Sequence, residues 1–144
     1  MIQRMKELIR SRDLCVLATT SGGRPHCSLM AYVTDDDCAV LYMTTLKDST
    51  KYANLVRNPE VSLLVDTRDS PEPDGGTGIR ALTVSGRYEP PEAEDEERRA
   101  RTALLERHPG LEPLLRDENA AVIRIRMKTL LLLDGPQEAH FETL

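Results

Sequence analysis

Two hydroxyl side chains, Thr44 and Thr45, close an apolar run of the chain, and Ser49, Thr50 and Lys51 follow at once as the opening of a helix. Asp48 or Ser49 can cap that helix by accepting from its first N–H groups. Free N–H donors at a helix start, the helix dipole and a nearby ammonium all favour an anion, so this corner can hold a phosphate. It does so without the glycine-rich loop of the common nucleotide folds. Capped helices with an early lysine also occur where nothing binds, so the corner by itself leaves both readings open.

The elements that must position this corner can be read in order. Ile2, Met5, Leu8 and Ile9 form one stripe of a short helix expected to lie across a barrel mouth or edge. Leu14 to Thr20 and Pro25 to Thr34 read as strands joined by Ser21-Gly22-Gly23. Asp35-Asp36-Asp37 turns the chain into a further strand, Cys38 to Thr45, and such short connections predict an antiparallel meander. In the Lys51 helix, Tyr52, Leu55 and Val56 supply the apolar face, and Asn58-Pro59 ends it before a strand from Val61 to Asp66. Thr67 to Gly78 is too rich in Pro and Gly for a regular element and reads as a loop that either links two strands or covers a substrate face.

Ile79 to Glu89 is the next strand, with Gly86 marking a bulge or a close backbone approach. After Pro90-Pro91 comes a helix with acidic residues first and arginines after, an order that suits the dipole and reads as a solvated face. Leu111, Leu114 and Leu115 suggest one more turn before a final strand, Ala121 to Leu133. There Ile123, Ile125 and Met127 alternate with Arg124, Arg126 and Lys128; the basic side is either wet or reaches an anion at a subunit interface. Six strands with few helices predict a mainly β, six-stranded antiparallel barrel, with residues 1–144 as one domain.

Composition excludes several classes. A 144-residue chain with 40% hydrophobic and 30% charged residues reads as a soluble globular protein, and no apolar run approaches a membrane span. Its N-terminus is unlike a secretory leader, which points to the cytoplasm. A net charge of −5 argues against nucleic acid. Cys15, Cys27 and Cys38 have neither zinc nor disulfide spacing and read as buried thiols in strands. The triple aspartate lacks the alternation of a calcium loop, so no metal is expected. His26 and His140 have no carboxylate or ligand partner at a recognisable spacing and read as surface or interface residues, leaving no assignable catalytic residue.

The order Gly23-Arg24-Pro25, Thr44-Thr45, Ser49-Thr50-Lys51 and Asn58-Pro59, with Pro59 eight residues beyond Lys51, resembles the pyridoxamine 5′-phosphate oxidase-like, FMN-binding split-barrel superfamily. The resemblance implies a split β-barrel, usually dimeric, with FMN as cofactor. By position it implies that Ser28, Leu29, Met30, Ala31 and Tyr32 run along the flavin ring, largely through backbone contacts. Thr44 and Thr45 would lie near the ribityl-phosphate, and Ser49, Thr50 and Lys51 would bind the phosphate. The chain departs from the oxidase pattern at Thr50, where an arginine is usual, at Ala81 in place of a flavin-contacting glutamine, and in having no Trp/Arg-containing segment after Leu133.

These departures speak against pyridoxamine phosphate as substrate. The expectation is therefore an FMN-binding oxidoreductase acting on another small molecule, as a homodimer that sandwiches the flavin, because so small a barrel offers little wall. A deazaflavin in place of FMN is a second reading. A non-catalytic flavin or haem carrier is a third, with His140 as the residue to matter for haem.

Overall fold

A computed structural model describes residues 1–69 and 78–144; the loop expected at Thr67 to Gly78 therefore lies largely outside the described residues. Helix α1 (Ile2–Ser11) leads into β1 (Leu14–Ser21) and β2 (Arg24–Ala31), which form a hairpin. Ser21 faces Arg24 across a two-residue turn, and Gly22 and Gly23 adopt φ of 59° and 76°, the paired left-handed geometry that suits strand twist and that glycine adopts without strain.

The single strand expected from Pro25 to Thr34 is broken at Tyr32, and β3 (Val33–Thr34) follows. Tyr32 turns its ring into the core, its hydroxyl donates to the Ile9 carbonyl, and its N–H donates to Asp13. The break carries the chain away from β1 toward β4 (Val40–Leu46), which pairs with β3. Cys38 lies in the turn, at φ 52°, and not in the strand, because the Asp35 carboxylate accepts from the N–H groups of Ala39 and Val40 and tightens the bend. α1 lies over this end of the sheet, with Lys6 and Arg10 donating to the carbonyls of Asp37 and Asp36.

After α2 (Thr50–Arg57) come β5 (Glu60–Asp66), β6 (Arg80–Tyr88), α3 (Glu94–Arg107), a 3₁₀ turn at Pro109–Leu111, α4 (Glu112–Arg116), β7 (Ala120–Asp134) and β8 (Glu138–Thr143). The sheet runs β2-β1-β5-β6-β7-β4-β3, with β8 also on β7. The expected meander is therefore corrected: β1 takes β5 as its second partner and β4 takes β7. Short turns fix which strands are consecutive, whereas burial of long apolar faces selects the partners. Because β2 and β3 end the path yet are consecutive in the chain, the antiparallel sheet curls back on itself as a half-barrel, the split-barrel arrangement expected. The sheet has eight strands against the six expected, the additions being β3 and β8. β8 alternates Glu138, His140 and Glu142 with Ala139, Phe141 and Thr143, a pattern too polar to read as a strand without its partner.

The core gathers Met5, Leu8 and Ile9 of α1 with inward residues of the sheet such as Leu17, Met43, Leu63 and Ile125. Gly86 combines both features expected of it. The β6–β7 register shifts between Ser85 and Gly86, and a Cβ at Gly86 would stand 2.6 Å from the Arg126 carbonyl oxygen. Cys15 and Cys38 are buried, which pushes the Cys15 thiol up to about 12 and raises Cys38. Cys27 is exposed, contrary to expectation, because β2 is a terminal strand whose outward face no other described residue covers. Among the described residues no helix is long and apolar enough to cross a membrane.

The basic side of β7 is in part wet, with Arg126 47% and Lys128 39% exposed, and its charges are also paired within the chain. Arg124 donates to Glu89 at 2.7 Å and to Glu96 at 3.0 Å, Arg126 donates to Glu89, and Lys128 reaches Glu60. Glu96 comes from α3, whose acidic face is thus partly structural, and it also accepts from the Tyr42 hydroxyl at 2.6 Å. Burial works against the charged form of Glu96, but hydrogen bonds from Tyr42, the Glu92 N–H and Arg124 outweigh it and hold its carboxyl below the usual range. Glu89 is lowered likewise, with Arg126 and Arg124 overcoming desolvation.

Arg124→Met is expected to destabilise the fold by about 2 kcal/mol at neutral pH, because it removes the cationic partner of Glu96, a side chain only 17% exposed, and one of the two on Glu89. Both carboxyls have depressed folded pKa values, so their stabilisation is complete above the unfolded value of about 4.3 and is lost as pH falls through the folded values. The gap between native and variant in urea melts should therefore close below about pH 4.

Candidate functional site

The corner is assembled from three directions. β4 ends on the inner side of the sheet because Leu41 and Met43 are fully buried, and this carries Thr44 and Thr45 to its rim, each 5% exposed. Lys47 N–H donates to the Asn119 carbonyl, which ties the connection to the start of β7. Ser49 then caps α2, its hydroxyl accepting from Tyr52 N–H at 3.2 Å. Asp48 does not take this part. α2 seats Leu55 in the core, but the apolar face expected of it is changed: Val56 is 63% exposed and Asn54 is buried in its stead. The Asn54 amide donates at 3.1 Å to Thr19 of β1, so the helix is fixed by one directional bond, and Lys51 lies one turn before Asn54 on the same face.

The result is a chain of polar groups. Lys51 Nζ donates to Thr45 Oγ1 at 3.3 Å, and that oxygen lies 3.2 Å from Ser49 Oγ. Thr44 instead donates its hydroxyl to the Ala121 carbonyl and so spends it on the sheet. The N–H groups of Thr50 and Lys51 are among those an α-helix leaves without internal acceptors. Lys51, Thr44 and Thr45 line a cavity of about 210 Å³, whose opposite wall is Leu29, Met30 and Ala31 of β2.

Leu111 and Leu114 complete the lining, and sequence reasoning did not assign them to the site. Their spacing of one helical turn is a signal that they share a face, but nothing local says where α4 lands. Among the described residues no carboxylate lines the cavity, and Lys51 is the charged group there. The structure thus brings together Leu29, Met30, Ala31, Thr44, Thr45 and Lys51 of the residues named from sequence. Ser49 stands behind Thr45, Thr50 is exposed, and Ser28 and Tyr32 are not on the wall. Tyr32 is committed elsewhere, its carbonyl also accepting from His108 at 2.8 Å. His26 and His140 are on β2 and β8, away from the cavity lining, and His140 lies 3.6 Å from Glu138.

The outward face of the sheet bears on the same wall. The registers align Leu29, Val16, Leu64, Thr83, Leu131 and Phe141 in one row across β2, β1, β5, β6, β7 and β8. The adjoining row is Cys27, Ala18, Ser62, Ser85, Thr129 and Thr143. Neither row has an acidic or basic side chain in a protein that is 30% charged, and Leu29 and Phe141 are 69% and 62% exposed.

A curled antiparallel half-barrel with a polar corner facing its edge strand defines the class, and the sequence agrees with it over nearly its whole length. The family model described as pyridoxamine 5′-phosphate oxidase matches residues 1–134. The chain belongs to the pyridoxamine 5′-phosphate oxidase family. It is similar to a haem-binding protein from Mycobacterium smegmatis at TM-score 0.81 and 21% identity, with 96% of this chain on 55% of that one. An FAD-binding protein from Mesorhizobium loti matches at TM-score 0.73 and 21% identity, over 97% of this chain and 94% of that one. ChuZ from Campylobacter jejuni matches at TM-score 0.81 and 13% identity, over 99% and 58% respectively. The chain thus spans little more than half the length of the first and third. At such identities the likeness speaks for the fold alone. No curated protein matches the sequence.

Proposed function

We propose that the chain binds FMN and acts, as a homodimer, as a flavin-dependent oxidoreductase on a small molecule. The observation that carries this is the cavity in which Lys51, its one charged lining residue among those described, donates to Thr45 at the start of α2 and shares the lining with apolar residues. The donor set fits a phosphate: an ammonium, two hydroxyls and free helix N–H groups, with no carboxylate to compete among the described residues. Lys51, Thr45 and Ser49 would hold the phosphate, and the backbone of Leu29, Met30 and Ala31 would lie along the remainder of the molecule. When bound, the flavin supplies hydride or electron transfer, while the protein binds it, orients it and excludes water.

Size and surface support the dimer. A cavity of about 210 Å³ is below the roughly 300–1,000 Å³ usual for an enclosed ligand, so a flavin anchored at Lys51 extends past Leu29. A second copy seated on the two uncharged rows would cover it there. Those rows cross six strands, about 24 Å at ordinary strand spacing, and would form the uncharged centre of a larger contact.

The test is titration of the purified chain with FMN, followed by flavin fluorescence, with the mass in solution measured on the same sample. Saturation near one FMN per subunit and twice the monomer mass is the expected result. No uptake would sink the flavin reading, and tight uptake by a monomer would sink the shared site. Faster reoxidation of the reduced flavin by one member of an acceptor panel than by oxygen alone is expected of an oxidoreductase; acceleration by none would favour a carrier.

A further inference from the structure

We infer that a groove at the start of β1, beside the ends of β2 and β5, is a second binding site. It takes a small molecule with an apolar body and a carboxylate, and Arg12 holds the carboxylate. The groove encloses about 300 Å³, the lower end of the usual range for a small ligand. Its apolar lining is Leu14, Val16, Leu29 and Leu64, of which Leu14 and Leu29 are 50% and 69% exposed. Leu29 also lines the cavity of Lys51 and Thr45, so the two spaces share one side chain. Resting on the flavin reading above, the groove is then the place of the substrate, since a flavin anchored at Lys51 extends past Leu29.

Charge decides which ligand the groove suits. Among the described residues five charged side chains line it, and three of them are already engaged. Asp13 accepts from Arg107 of α3 at 3.0 Å, and Asp66 accepts from the N–H and the Nε of Arg68 at 3.1 and 3.2 Å. Arg12 and Asp69 remain. They lie 3.5 Å apart, beyond ordinary hydrogen-bond length, with the Arg12 side chain 20% exposed and that of Asp69 73% exposed. So loose and wet a partner contributes little, whereas a guanidinium drawn this far out of water gains from a well-placed anion. A ligand carboxylate can take two N–H groups of Arg12 at once and displace Asp69 into solvent. The apolar residues beside Arg12 then receive the ligand's body. Val16, Leu29 and Leu64 also belong to the uncharged row, so a second copy seated there would border the same groove.

The experiment titrates the isotopically labelled native chain, without FMN, with benzoate and with neutral benzamide, and follows the amide NMR shifts. Benzoate should move the amides of Leu14, Val16 and Leu29 saturably. Benzamide on the native chain, and benzoate on Arg12→Gln, should each bind at least about fivefold more weakly. No saturable shift at these residues, equal affinity for the two probes, or native affinity in Arg12→Gln overturns the inference. If Arg12→Gln does not fold, Leu14→Glu sets a like charge beside the carboxylate at a position 50% exposed and should abolish benzoate binding; unchanged binding there overturns the inference equally. Benzoate is then added to the FMN-loaded chain, where a shift of the flavin absorption band is expected. A band that bound benzoate leaves alone overturns the substrate assignment, and failure to load FMN while benzoate still binds overturns the flavin reading and leaves the carboxylate site standing.

Discussion

Replacing Lys51 with alanine is expected to weaken FMN binding by about 1–3 kcal/mol, a loss of roughly 5- to 150-fold in affinity. Among the described residues the ammonium is the one charge in the cavity lining, and its hydrogen bond to Thr45 holds it at the start of α2, so an anion there loses its counter-charge and one donor together. Riboflavin, which has no phosphate, should bind native and Lys51→Ala proteins alike. Lys51 is half-exposed and outside the core, so the melting temperature should move little. Lys51→Arg should retain most of the affinity, since it keeps the charge. Parallel fluorescence titrations with the two flavins decide the matter: equal FMN affinity in Lys51→Ala would remove this residue from the site.

The second large effect concerns the scaffold. Gly86→Ala is expected to destabilise the fold by about 3 kcal/mol, which for a chain of this length lowers the melting temperature by roughly 10 °C. An added Cβ would lie 2.6 Å from the Arg126 carbonyl oxygen and 3.0 Å from Ile125 Cγ2, and the nearer of these atoms is backbone that belongs to the ladder. Relief requires β6 and β7 to part where Val84 and Met127 pack into the core. Gly110→Ala is the control, because nothing lies within 4 Å of its added Cβ. Thermal melts in which both variants match the native chain would refute the close-approach argument.

What could be read from the sequence was whatever depends on near neighbours. Gly22-Gly23 specifies a turn by itself, the alternation from Ile123 to Lys128 specifies a strand with one dry side, and Ser49 specifies a cap because its acceptor and the donor at Tyr52 are three residues apart. What stayed hidden depends on partners far along the chain. Val56 has the hydropathy of a core residue, yet Asn54 takes the buried place because Thr19, on a strand 35 residues earlier, offers it an acceptor. Arginine and glutamate on α3 look like a solvated face until β7 is set beside them. The polar half of the corner was thus legible and its leucine half was not, since Lys51 and Thr45 are close in sequence whereas Leu114 arrives by tertiary packing.

Strand β7 has a consequence for the order of events in the cell. It holds β6 along one edge and β4 and β8 along the other, and the hydroxyl of Thr44 waits on a carbonyl 77 residues later. During synthesis the β1–β2 hairpin can close at once, but the end of β4 that carries Thr44 and Thr45 has no strand partner until β7 has emerged. Contacts so distant make folding slow relative to helical proteins of equal size, and they leave β4 with an open edge in the meantime. The nascent chain therefore completes the corner of Thr45 and Lys51 late, only once β7 has emerged.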